Sequence, residues 1–118
     1  MDFEAKRARM VEEQLRKRGI VDTRVLAAMG AVPREAFVPP SERRRAYDDG
    51  ALPLGHGQTI SQPLMVAMSV EALRLEGDET VLEIGAGSGY QAAVLSKLAK
   101  KVYAVEIIPE LVEGARRV

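Results

Sequence analysis

The sequence predicts an α/β fold in which a strand–helix–strand unit of parallel strands follows a helical N-terminal extension. Three observations carry that expectation. Two short apolar runs, VLEI at 81–84 and VYAV at 102–105, read as strands. A glycine-rich turn, GAGSG at 85–89, leads from the first run into a helical pattern over 90–99. The first 46 residues are rich in charge, and their apolar positions recur at helical spacing. Parallel strands need a crossover of a dozen or more residues, which the helix over 90–99 supplies. Strands that are nearly continuously apolar suit a parallel sheet covered on both faces.

In chain order, Phe3, Met10, Val11 and Leu15 share a face of a first helix, and Gly19 is placed to end it. Asp22 is a candidate N-cap for a second helix, with Val25, Leu26, Met29 and Val32 as its buried stripe. Pro33 stops that helix, a short one follows over 34–37, and Ser41 is a candidate cap beyond Pro39-Pro40. Residues 47–62, with glycines at 50, 55 and 57 and Pro53, read as a long irregular loop of functional character. Ser61 is a candidate cap for a largely buried helix with Pro63 in its first turn. Strands at Thr80–Ile84 and Lys101–Val105 enclose the glycine turn and its helix, and Pro109 opens a last helix. The division expected is 1–62, helical extension with a substrate and cofactor loop, and 63–118, the first part of a cofactor-binding domain.

Composition narrows the function. Seventeen basic residues balance 17 acidic ones, which gives no electrostatic reason to expect nucleic acid or anionic membrane as a partner. With no cysteine there is no disulfide, no thiolate metal site and no cysteine nucleophile, and one histidine builds no histidine metal cluster. The charged start of the chain lacks a signal peptide's apolar core, so a cytoplasmic, soluble protein is the expectation.

The glycine turn lies at the carboxyl end of a strand, where open α/β sheets bind ligands, and its missing Cβ atoms let a ligand approach the backbone. Glu106, at the end of the second strand, is spaced to accept the hydroxyls of an adenosine ribose. Dinucleotides require G-x-G-x-x-G, whereas this turn is G-x-G-x-G with Tyr90 in the place of the third glycine. Glu83, two residues ahead of the turn, suits a cationic sulfonium and ammonium and would repel a pyrophosphate. The residues therefore favour S-adenosyl-L-methionine over a dinucleotide. The plainer readings are a strand-end acid bonded to backbone amides for Glu83, a solvated terminus for Glu106, and tight helix–strand packing for the glycines.

E-I-G-A-G-S-G-Y, followed by V-E at the second strand, resembles the cofactor signature of class I methyltransferases, whose fold is Rossmann-like. Upstream, V-P-R-E-A-F-V-P at 32–39, Y-D-D at 47–49 and G-Q-T-I-S-Q-P at 57–63 resemble protein-L-isoaspartate O-methyltransferases in order and spacing. The resemblance spans essentially the whole chain, and the 57–63 block is its most specific part. It implies transfer of a methyl from S-adenosyl-L-methionine to the free carboxylate of isoaspartyl residues in damaged proteins. The ester then collapses to a succinimide. It further implies Ser61 as the active-site residue and Thr59, Ile60 and Ser61 as contacts to cofactor and substrate. Gly85, Gly87 and Gly89 would line the methionine end and Glu106 would hold the ribose; Glu83, Ala86, Ser88 and Ile107 are further expected cofactor contacts. Tyr47 and His56 are further candidates for peptide or cofactor contact. The family's chains continue past residue 118 with further strands, so the expected fold is truncated. A non-catalytic fragment and a methyltransferase for small molecules are the competing readings.

Overall fold

A computed structural model describes residues 2–118 and shows an α/β architecture with a helical N-terminal region. Helix α1 (Phe3–Met10) starts at Asp2, whose carboxylate accepts from the Ala5 amide, and runs on through a π-type segment and a 3₁₀ turn. Gly19 ends it in the left-handed region, at φ 104°. Asp22 caps α2 (Thr23–Ala31) by accepting from the Arg24 and Val25 amides, as its sequence position predicts. Val25, Leu26, Met29 and Val32 are all buried. Pro33 leads into a 3₁₀ turn at Arg34–Phe37, and a second runs over Pro40–Arg45. Ser41 makes no cap there: Pro39 holds the capping position and no side chain bonds the free amides.

The segment expected to be an irregular loop contains a β-hairpin. Strands β1 (Leu52–Gly55) and β2 (Gln58–Ile60) pair antiparallel. Its glycines, taken as breakers, are the hairpin's turn: Gly55, His56 and Gly57 all have positive φ. Ser61 does not cap the next helix either. Gln62 occupies the capping position of α3 (Pro63–Ala72), and Pro63, lacking an N–H, starts the helix without needing a cap there.

Beyond α3, β3 (Thr80–Ile84) and β4 (Lys101–Val105) form a parallel pair in register from Thr80↔Lys101 to Ile84↔Val105. Helix α4 (Tyr90–Ser96) crosses between them, and α5 (Pro109–Arg117) follows. One core joins the two regions: Met10, Leu15, Met29, Val70, Val94 and Leu95 are buried together. The inner sheet face, with Val81 and Val102, packs against that core. The outer face does not. Leu82, Ile84, Tyr103 and Val105 are exposed, Ile84 to 81%. The expectation of a sheet covered on both faces is therefore corrected, because the described elements lie on one side only. Helix α3 is likewise half-covered, with Met65 and Met68 exposed. Among the described residues no helix is long and apolar enough to cross a membrane.

This one-sided burial has a measurable consequence. Leu95→Ala, at a fully buried site, is expected to lower unfolding stability by about 2–5 kcal/mol. Leu82→Gln, on the open face, is expected to change it by no more than about 0.5 kcal/mol. Urea unfolding of the two variants measures both.

Candidate functional site

The glycine turn leaves β3 at Gly85, whose φ of 80° only glycine adopts without strain. Its amides are then used within the protein. Gly85 and Ala86 both donate to the Val105 carbonyl, at 2.8 and 3.0 Å, which clips the turn to the end of β4. Gly87 donates to Glu106 Oε1 at 2.7 Å, Gly89 to the Ala86 carbonyl at 3.0 Å, and Tyr90 to Ser88 Oγ at 3.1 Å. Gly89 also lets two helices approach: a Cβ there would lie 3.1 Å from the Ala115 Cβ on α5.

Glu106 is tied to the same turn. Its Oε2 accepts from the Ile107 and Ile108 amides while Oε1 takes the one bond from Gly87. The Gly87 amide, then that of Ile108, holds its carboxyl below the usual range. Oε1 keeps acceptor capacity for another donor. Ile107 is 90% exposed beside it.

The end of the hairpin faces this turn. Thr59, Ile60, Ser61, Glu83, Gly85, Ala86, Gly87 and Ser88 line one cavity of about 260 Å³, together with Ile84, Val66, Tyr90 and Gln91. Eight of the residues singled out in the sequence are thus brought together; Gly89, Glu106 and Ile107 are not among the lining. Ser61 is exposed, whereas its neighbour Ile60 is buried. Glu83 does not bond backbone amides as its plainer reading required. Its Oε1 is buried and has no hydrogen-bond partner among the described residues. Burial pushes the Glu83 carboxyl up to about 7, partly offset by the Gln91 side chain.

Tyr47 and His56 lie elsewhere. Tyr47 is buried, its hydroxyl accepting from Arg7 Nε and the Arg34 amide at 2.9 and 3.0 Å and donating to Glu35. It is a strut and is not open to a ligand. His56 lines a second cavity of about 530 Å³ between the 34–40 region and α5, with Arg43 and Glu110, which shares Ser88 with the first.

One residue of the site's support was missed. Arg34 is fully buried, with Nε donating to the Ala46 carbonyl at 2.6 Å and Nη2 to the Ser61 carbonyl at 2.9 Å. Its guanidinium carbon sits 4.9 Å from the centre of the Tyr90 ring. Burial lowers its pKa and drives that of Tyr90 up to about 12. An arginine beside a glutamate, Glu35, resembles any surface charge in sequence; only its place inside the V-P-R-E-A-F-V-P block hinted otherwise.

Known proteins resemble this chain in sequence and in overall fold. Residues 5–118 match the family described as protein-L-isoaspartate(D-aspartate) O-methyltransferase (PCMT). The protein-L-isoaspartate O-methyltransferase 2 of Anaeromyxobacter sp. is 62% identical over 108 residues, covering 92% of this chain and 44% of the relative. That of Gloeobacter violaceus is 58% identical over 108 residues, 92% of this chain and 53% of the relative. A Plasmodium falciparum chain described as a protein-L-isoaspartate O-methyltransferase, solved with S-adenosyl-L-homocysteine, superposes with a TM-score of 0.78 at 27% identity. The match covers 94% of this chain and 53% of that one. The chain spans about half the length of the curated relatives it matches.

Glu83 gives the site a pH signature. Its folded-state pKa is raised, so its proton is held more tightly in the folded than in the unfolded chain. Its contribution to stability is greatest below the unfolded carboxyl range and declines as pH rises to about 7. Glu83→Gln is expected to flatten that decline, measured as thermal midpoints between pH 5 and 8.

Proposed function

The chain belongs to the protein-L-isoaspartate(D-aspartate) O-methyltransferase family, and from that premise we propose that its cavity takes S-adenosyl-L-methionine and serves methyl transfer to isoaspartyl carboxylates. One observation carries the reading. The hairpin end and the glycine turn close on a cavity lined by a single carboxylate, Glu83, one of whose oxygens is buried with no partner among the described residues. Burial holds that carboxyl up to about 7, and a cationic donor beside it would stabilise its ionised form. The turn also argues against a dinucleotide: the amides of Gly85, Ala86, Gly87 and Gly89 are already bonded within the protein, so few remain for a pyrophosphate.

In this reading the segment 63–118 holds the cofactor, with Gly85, Ala86, Gly87, Ser88 and Gly89 at its amino-acid end. Glu106 and Ile107 hold the ribose. The segment 1–62 supplies the loop with Thr59, Ile60 and Ser61. Bound there, S-adenosyl-L-methionine supplies an activated methyl. The isoaspartyl carboxylate is ionised at neutral pH and needs no strong base. The protein's task is alignment and exclusion of water. The Ser61 hydroxyl donates to one carboxylate oxygen and leaves the other free to point at the methyl. Glu83 neutralises the cofactor's positive charge. Isoaspartyl peptides and damaged proteins are the partners, and a cytoplasmic setting is part of the same proposal.

A second reading is that these 118 residues bind the cofactor without turning it over. The open apolar sheet face at Leu82, Ile84, Tyr103 and Val105 favours it.

Calorimetry with S-adenosyl-L-homocysteine tests the shared premise: heat and a raised thermal midpoint are expected, and neither would refute both readings. Methylation of an isoaspartyl peptide, with an aspartyl control, separates them. Binding should tighten from pH 5.5 to 8, because ionised Glu83 is the form that pairs with the ligand's ammonium, and Glu83→Gln should remove that dependence. Glu106→Ala is expected to weaken binding about tenfold by removing hydrogen bonds to a charged acceptor. Ser61→Ala should lower turnover more than cofactor affinity.

A further inference from the structure

We infer that Arg34 is a positioning residue for the methyl transfer: from inside the core it grips the Ser61 carbonyl and thereby sets the direction of the Ser61 hydroxyl at the cavity. The inference rests on the functional reading above. Arg34 is 0% exposed, and among the described residues no carboxylate pairs with it. A charge buried in that way is costly, and packing alone would be served as well by an apolar side chain of similar size. What the guanidinium has instead is geometry. A planar fork reaches two carbonyls at once while its flat face lies over a ring, which no other cationic side chain does.

The three things it touches belong to three separate stretches of chain, two of which line the cavity. Ala46 precedes the Y-D-D stretch, Ser61 ends the hairpin, and Tyr90 is the first residue of α4 directly behind the glycine turn. Ser61 is exposed and lines the cavity while Arg34 holds its carbonyl. The next residue is anchored too, since Gln62 Nε2 donates to Asp49 Oδ1 at 2.6 Å, and Asp49 pairs with Arg18 at 2.7 Å. Ser61 is therefore held from two sides, once through its own backbone and once through its neighbour. Loss of the buried grip would leave the hydroxyl in place but loosely aimed, and small misalignment costs rate disproportionately.

The test uses the 118-residue chain with Arg34→Lys and Arg34→Met, each alone and combined with Ser61→Ala. Hydrogen exchange reads the positioning directly, without needing catalysis. Exchange over residues 59–62 should quicken about tenfold in Arg34→Lys, with smaller changes elsewhere. Turnover on an isoaspartyl peptide should fall about tenfold, with a much smaller loss of S-adenosyl-L-homocysteine affinity. In the Ser61→Ala background the Arg34 change should cost nothing more, because the hydroxyl it aims is gone. An equal cost in both backgrounds, or unchanged exchange over 59–62 with general loosening, would overturn the inference. A wild-type chain that neither binds nor methylates contradicts the functional reading alone, and the exchange comparison still judges Arg34. Should both variants fail to fold, the wild-type chain decides by NMR: slowly exchanging Arg34 guanidinium protons support the grip, and rapidly exchanging ones contradict it.

Discussion

Arg34 brings a positive charge into the core, and the surrounding chain is arranged to accommodate it. Among the described residues no acid pairs with it: Nε and Nη2 donate to carbonyls, the guanidinium lies over an aromatic ring, and Nη1 is buried with no hydrogen-bond partner. Those partners come from stretches far apart in sequence. The V-P-R-E-A-F-V-P block provides the arginine, the Y-D-D stretch stands beside Ala46, the G-Q-T-I-S-Q-P block contributes Ser61, and the glycine turn leads into Tyr90. Around it lies a second tier: Tyr47 accepts from the Arg34 amide and from Arg7, while Gln14 donates to the Tyr47 carbonyl at 2.7 Å. The helical N-terminal region is thus wired to the cofactor-type turn through polar contacts as well as through the apolar core.

Much of the fold could be read in advance because its signals are local. A carboxylate before a helix, as at Asp22, a glycine after one, as at Gly19, and apolar runs bracketing a glycine turn each reflect chemistry within a few residues. The misreadings are also physical. Glycines at 55 and 57 argue against a strand in their own immediate neighbourhood, yet they are what lets a tight hairpin reverse there. Ser41 and Ser61 are good capping residues by type, but Ser41 lies inside its turn, after Pro40, and Gln62 stands between Ser61 and the helix that starts at Pro63. The covered sheet was expected from strand composition, and composition records apolarity without recording which elements are present to bury it.

The site was legible to a similar degree and for a similar reason. Thr59, Ile60, Ser61 and the turn residues meet in one cavity because two motifs that each look functional fold against each other. Glu83 was singled out for its charge, and the structure adds that burial leaves one of its oxygens without a partner. Arg34 was invisible because its role depends on tertiary contacts, with partners 12 and 27 residues away that are backbone carbonyls and carry no sequence signal. Tyr47, an attractive candidate by residue type, is consumed by its neighbours.

The division of labour that emerges is simple. The amides of the turn are bonded within the protein, and in the proposed reading Glu83 pairs with the cofactor's cation and Ser61, just after the hairpin, supplies the hydroxyl. A crystal structure of the chain with S-adenosyl-L-homocysteine tests this most directly. The account predicts the amino-acid end of the ligand between Ser61 and the glycine turn, with its ammonium within hydrogen-bond reach of Glu83. A ligand seated in the cavity beside His56, or a Glu83 oxygen still without a partner at full occupancy, would contradict it.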